Sequence, residues 1–160
     1  MVEDGGSHEK FMRMAIALAN ENIKKGGGPF GAVIVKDGKV VGRGANSVTA
    51  LNDPTAHAEI MAIREASAAL SDFNLSDCIL YTTCEPCPMC LGAIYWARIP
   101  TVYYGNTKND AAEIGFDDHF IYQELELPIQ KRSLIMKPLL GGEAIHTFET
   151  WRVLPDKIEY

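Results

Sequence analysis

Four side chains in this sequence have the types and spacing to do chemistry together: His57, Glu59, Cys87 and Cys90. A Cys-x-x-Cys pair alone is a weak signal, shared by redox pairs, structural zinc sites and chance. Here Pro86 stands immediately before the first cysteine, and His57-Ala58-Glu59 lies upstream. One imidazole and two thiolates form the set that a tetrahedral zinc accepts when its fourth position is left for water. Zinc makes such a water acidic, and Glu59 is then the acid/base beside it. His8, His119 and His146 have no ligand-spaced cysteine partner and read as surface or core polar residues. Cys78 lies in an apolar run and reads as a small core residue. Cys84 abuts the motif and reads as core or site wall, because three ligands and a water already complete a catalytic zinc.

The elements that must position these residues follow from periodicity. Ser7 to Lys25 predicts a first helix, with Phe11, Met14, Ala15, Leu18 and Ala19 on one stripe, Ser7 as N-cap and Gly26-Gly27-Gly28-Pro29 as its stop. The glycine run has no following Gly-Lys-Ser/Thr and opens no helix, so it is not a phosphate loop. Gly31–Lys36 and Lys39–Ala45 predict a hairpin across Asp37-Gly38. A polar loop, 46–56, leads to a second helix ending at Leu70, on which Glu59, Ala62, Ile63, Ala66 and Leu70 share the apolar stripe. A carboxylate on that stripe is costly unless paired or near a metal. The alternative is a helix-start Glu favoured by the macrodipole, which leaves the cysteines out of account.

Cys78–Thr83 predicts a central strand, apolar throughout. Pro88 opens a third helix to Arg98, with Cys87 and Cys90 adjacent on its first turn. Two helix N-termini thus face one metal, which favours both thiolates. Thr101–Gly105 predicts a fourth strand and residues 106–118 a long loop or broken helix. Ser133–Leu139 predicts a fifth strand, and Gly142–Arg152 a last helix. This α-β-β-α-β-α-β order argues for an α/β helix–sheet–helix sandwich.

The 160 residues fit one domain. The N-terminus, Met1 to Lys10, has no signal-peptide core, no apolar run reaches membrane-spanning length, and cytoplasmic residence is the expectation. Gly5-Gly6-Ser7 has a linker-like composition. The formal net charge is −6, with basic residues single or paired. A nucleic-acid binder clusters them, so a small neutral substrate is favoured.

Asn52-Asp53-Pro54-Thr55-Ala56-His57-Ala58-Glu59 and Glu85-Pro86-Cys87-Pro88-Met89-Cys90-Leu91-Gly92-Ala93-Ile94 resemble the cytidine/deoxycytidylate deaminase superfamily, whose signature is this ligand set. The arrangement is similar to the branch shared by tRNA adenosine deaminases and bacterial guanine deaminases. Three further stretches resemble the guanine deaminases: Gly28-Pro29-Phe30-Gly31-Ala32-Val33, the run from Asp110 to Asp118 ending Gly115-Phe116-Asp117-Asp118, and a C-terminus with Trp151-Arg152 and a final Tyr160. The resemblance covers nearly the whole chain. It implies a five-stranded mixed sheet flanked by helices, one zinc per subunit, and a homodimer in which residues 141–160 are exchanged. It also implies that Asn46 and Ala58 bind the base, that Asp118 reads its amino edge and shuttles protons, and that Phe30 and Trp96 wall the pocket. Tyr160 of one subunit would close the other's site. Each has a plainer reading: turn residues for Asn46 and Asp118, core for the aromatics, a frayed end for Tyr160.

The reaction implied is hydrolysis of guanine to xanthine and ammonia, with Glu59 moving the protons. The same chemistry on guanosine, another aminated purine or triazine, cytosine or tRNA adenosine is the nearest rival. A non-catalytic zinc-binding interaction module would not need Glu59 on the apolar stripe. A redox Cys-x-x-Cys protein would leave His57 unexplained.

Overall fold

The computed structural model describes residues 5–160; residues 1–4 of the acidic N-terminal stretch lie outside them. An apolar helical stripe followed by a strand with no polar face builds the first two layers. Helix α1 (Gly5–Lys24) turns Phe11 and Ala15 onto strand β1 (Gly31–Lys36), buried from Gly31 to Val35. A Cβ on Gly31 would run into the Ala15 carbonyl, so only glycine lets the helix lie this near. The chain is already helical at Gly5, so Ser7 lies inside α1 and does not cap it.

Asp37 and Gly38 both take positive φ, 49° and 72°. That is the primed turn that suits the twist of a hairpin, and β2 (Lys39–Ala45) returns antiparallel to β1. A short helix, α2 (Val48–Leu51), interrupts the expected loop before α3 (Ala58–Leu70). Then β3 (Cys78–Cys84), α4 (Pro88–Trp96) and β4 (Thr101–Asn106) form a parallel β-α-β unit. The strand order is β2-β1-β3-β4, which places β3 inside the sheet as its apolar sequence predicts. Helix α5 (Lys108–Glu113) occupies part of the stretch expected as loop or broken helix, held by a capping box between Thr107 and Asp110.

Side chains alternate across the strands. Ala32, Ile34 and Leu80 pack with Ala58, Ala62, Ala66 and Ile94 on one face. Val33, Val35 and Tyr81 pack with Phe11 and Ala15 on the other. Each buried side chain of the size of Ile34 or Leu80 contributes about 1.5–3 kcal/mol. Three layers result: α1, the mixed sheet, and α3 with α4.

The chain forms two compact units, dividing after Asp118. The second, His119–Tyr160, carries α6 (His119–Glu126), a single 3-10 turn at Ile129–Lys131, and α7 (Gly141–Arg152). The expected fifth strand is not there: the described sheet has four strands, and 133–139 forms none. The Ser133 N–H and hydroxyl both donate to the Glu124 carboxylate (2.8 and 3.0 Å), and Pro138 has no N–H to offer a ladder. Within its own unit this segment turns back on α6 instead of pairing. Apolar Ile135, Leu139, Phe148 and Val153 are left exposed on the single chain. Among the described residues no helix is long and apolar enough to cross a membrane.

Candidate metal centre and active site

The three expected ligands come from two helix starts. His57 is the N-cap residue of α3 and Cys87 the N-cap residue of α4, both with extended backbone (φ −69°, ψ 158° and φ −66°, ψ 169°). Neither side chain turns back to cap its helix, so both are free to point across the gap between the helices. Pro88 at the first helical position fixes the turn that brings Cys90 onto the same side. His57 Nδ1 lies 3.5 Å from Cys87 Sγ and 3.5 Å from Cys90 Sγ, and the three ligand atoms all fall within 4.8 Å of one another.

Tetrahedral zinc bonds of ordinary length put an imidazole nitrogen and a thiolate about 3.6 Å apart. The donor set therefore fits zinc in both type and spacing. The electrostatics fit as well. A hydrogen bond from Cys90, with help from His57, pulls the Cys87 thiol down to about 4. The Cys90 thiol is pushed up, first by that same bond and then by burial. The hydrogen bond with Cys87 raises His57. Without metal the pair shares a proton that a cation would displace.

Glu59, in the first turn of α3, is only 6% exposed, and burial raises its carboxyl above the usual range. Its Oε2 lies 3.4 Å from Cys90 Sγ, which puts the carboxylate next to the ligand cluster. Its Oε1 accepts a 3.0 Å hydrogen bond from the Thr82 hydroxyl on β3.

Of the residues expected to bind a substrate, Ala58 is the first residue of α3, where backbone N–H groups have no acceptor within the helix. Asn46 is buried at the end of β2, its Oδ1 accepting from the Val48 N–H (3.3 Å). The Asn22 amide donates to both the Gly28 and Asn46 carbonyls at 2.8 Å, tying the glycine-rich turn to Asn46. Phe30 packs edge-to-face on Phe116, with ring centroids 4.9 Å apart. Asp118 is half-buried, its carboxyl raised first by that burial and also by the nearby Cys87 charge. Trp96 sits at the end of α4 away from Cys87 and Cys90. It is 67% exposed there, on an open recess shared with Tyr95 and Arg98. Tyr160 belongs to the second unit and is exposed.

Sequence reasoning passed over Thr82 and Asn22, and quoted Phe116 only within the Gly115–Asp118 run, without its contact to Phe30. Thr82 had a readable signal: it puts a hydroxyl on the same face as apolar Leu80, in a strand expected to be central. Asn22 had none, since its partners come together only through the turn at Gly26.

A three-layer α/β fold with His, Cys and Cys ligands at two helix starts defines a class. The chain belongs to the cytidine and deoxycytidylate deaminase family, whose zinc-binding region matches residues 6–106. Within that class it is similar to the guanine deaminase of Bacillus subtilis (strain 168), 53% identical over 155 residues, which cover 96% of this chain and 99% of that protein. The X-ray structure of guanine deaminase from Bacillus subtilis matches with a TM-score of 0.93 over 96% of this chain and 98% of that one. A tRNA-specific adenosine deaminase of Streptococcus pyogenes serotype M1 is 39% identical over 142 residues, 88% of this chain and 81% of that protein. A structure of guanine deaminase from Nitrosomonas europaea is 34% identical with a TM-score of 0.65, covering 68% and 63% of the two chains.

Proposed function

We propose that this chain is a zinc-dependent guanine deaminase, converting guanine and water to xanthine and ammonia. The observation that carries the reading is the buried Glu59 carboxylate lying against a His57–Cys87–Cys90 cluster of zinc-ligand dimensions. The near full-length likeness to the Bacillus subtilis guanine deaminase selects the base. A formal net charge of −6 disfavours the tRNA substrate of the more distant relative.

His57, Cys87 and Cys90 hold the zinc, which when bound makes a water acidic enough to act as nucleophile near neutral pH. Glu59 takes a proton from that water and delivers it to the ring nitrogen beside C2 as the C2–O bond forms. It then takes the proton left on the new C2 hydroxyl and passes it to the amine as the C2–N bond breaks and the C2=O bond forms, so that ammonia leaves with the bonding pair. A carboxyl raised by burial suits a group that must both accept and return a proton. Asp118, itself raised, faces the exocyclic amine and shares the second transfer. Asn46 and the Ala58 N–H orient the base, Phe30 walls it, and Tyr160 closes the pocket from a second copy of the chain.

That last role requires a homodimer in which residues 141–160 of each single deaminase domain are exchanged, and its proposed compartment is the cytoplasm. The apolar side chains left exposed on the second unit support it, since pairing would cover them. Glu59→Gln tests the mechanism. It should retain one zinc per chain yet lose several orders of magnitude in kcat; a rate near the parent's refutes the assignment of Glu59.

A further inference from the structure

Glu59 has two carboxylate oxygens in different surroundings. Oε2 lies by the ligand cluster, 3.4 Å from Cys90 Sγ. Oε1 points away from it, to the Thr82 hydroxyl at 3.0 Å. With zinc bound, Cys90 would be a thiolate and could no longer donate to Oε2, while Oε1 would keep the Thr82 hydroxyl. Thr82 is 1% exposed. It lies on β3, an interior strand paired on both sides, opposite Ala32 on β1 and Tyr104 on β4. A β-branched residue in that setting has little freedom about χ1. The hydroxyl is therefore held by the sheet, a different element from the helix that carries Glu59.

We propose that Thr82 is a positioning residue: its hydroxyl anchors Glu59 Oε1 so that Oε2 alone serves the reaction. The inference rests on the acid/base role proposed for Glu59. A carboxylate held at one oxygen meets the proton it must take in a fixed geometry, and misplacement of about 1 Å at such a group costs on the order of a hundredfold in rate. Thr82 has no part in binding zinc or base, so its loss acts on turnover and leaves both ligands in place.

The test compares the zinc-loaded full chain with its Thr82→Val and Thr82→Ser variants, with Glu59→Gln alongside. Thr82→Val keeps the shape and removes the hydroxyl. It should lower kcat about 10- to 100-fold, with KM for guanine, zinc content and affinity for hypoxanthine (which lacks the C2 amine) unchanged. Thr82→Ser restores the hydroxyl and should restore most of kcat. A Thr82→Val enzyme with the parent's kcat overturns the proposal. So does loss of zinc or of hypoxanthine affinity in parallel with kcat, or a Thr82→Ser enzyme as slow as Thr82→Val. If Thr82→Val fails to fold, Thr82→Ala is judged by the same criteria. An active Glu59→Gln would instead refute the acid/base reading, whereas an inactive Glu59→Gln beside a full-rate Thr82→Val would refute only the role of Thr82.

Discussion

Gly44 on β2 lies against the Ala58 carbonyl of α3 with no room between them for a methyl group. A Cβ there would overlap that carbonyl and crowd the Ala62 nitrogen, and Gly42 meets the next turn of the same helix in the same way. These two glycines let the start of α3 settle onto the sheet, and that start carries His57 and Glu59. Gly44→Ala must therefore push the helix outward. We expect it to destabilise the chain by about 1–3 kcal/mol, the usual cost of overpacking. It should also lower kcat/KM by about 10- to 100-fold, because ligand and acid/base move together. Thermal melting and steady-state assays of the purified variant read both effects, and unchanged values in both would contradict the account.

Burial of Glu59 has a cost that shows in stability. Its carboxyl is raised from 4.5 in the fold, chiefly by desolvation. A raised acid holds its proton more tightly folded than unfolded, so the fold loses stability as pH rises above 4.5 toward the folded value. In metal-free protein, Glu59→Gln should melt above the parent at neutral pH, and the gap should close as pH falls to 4 and below. A gap that widens with acid would reverse the sign of the argument.

Metal binding should release protons. The Cys87 thiol, drawn down to about 4, is already ionised at neutral pH. The Cys90 thiol, pushed up by its hydrogen bond with Cys87 and by burial, still carries its proton. Zinc takes both as thiolates and His57 as a neutral imidazole, so the Cys90 proton and that held by the raised His57 should leave, about one to two protons per zinc near pH 7. Affinity should rise with pH accordingly. Titration calorimetry in buffers of different ionisation enthalpy counts those protons. Chelation should lower the melting temperature and abolish turnover together, since only the folded chain holds the ligands in place. Zinc uptake without proton release would mean that the thiols are not ligands.

The chemistry-bearing stretch was legible because its physics is local. Pro88 after Cys87 sets a helix start, Cys87 and Cys90 then share a face, and Asp37-Gly38 has one favoured turn. The layers were legible for the same reason, from the stripe Phe11–Ala15–Ala19 and the apolar run of β3. Ser133–Leu139 was misread because β-rich composition says nothing about whether a partner edge exists, and Glu124 takes the Ser133 donors first. Helix α6 was not among the expected elements, since residues 119–132 were given none. Thr82 and Asn22 act through partners far along the chain, Glu59 for one and Asn46 for the other. Contacts of that kind depend on tertiary placement and leave no periodic trace.

The most direct measurement is ammonia release from guanine and guanosine, side by side, on zinc-loaded protein with and without residues 155–160. The account predicts release from guanine alone, with xanthine as the other product, and loss of that activity when Tyr160 and its neighbours are removed. Release from guanosine at a comparable rate would contradict a pocket closed beside N9, and silence on both would overturn guanine as the substrate.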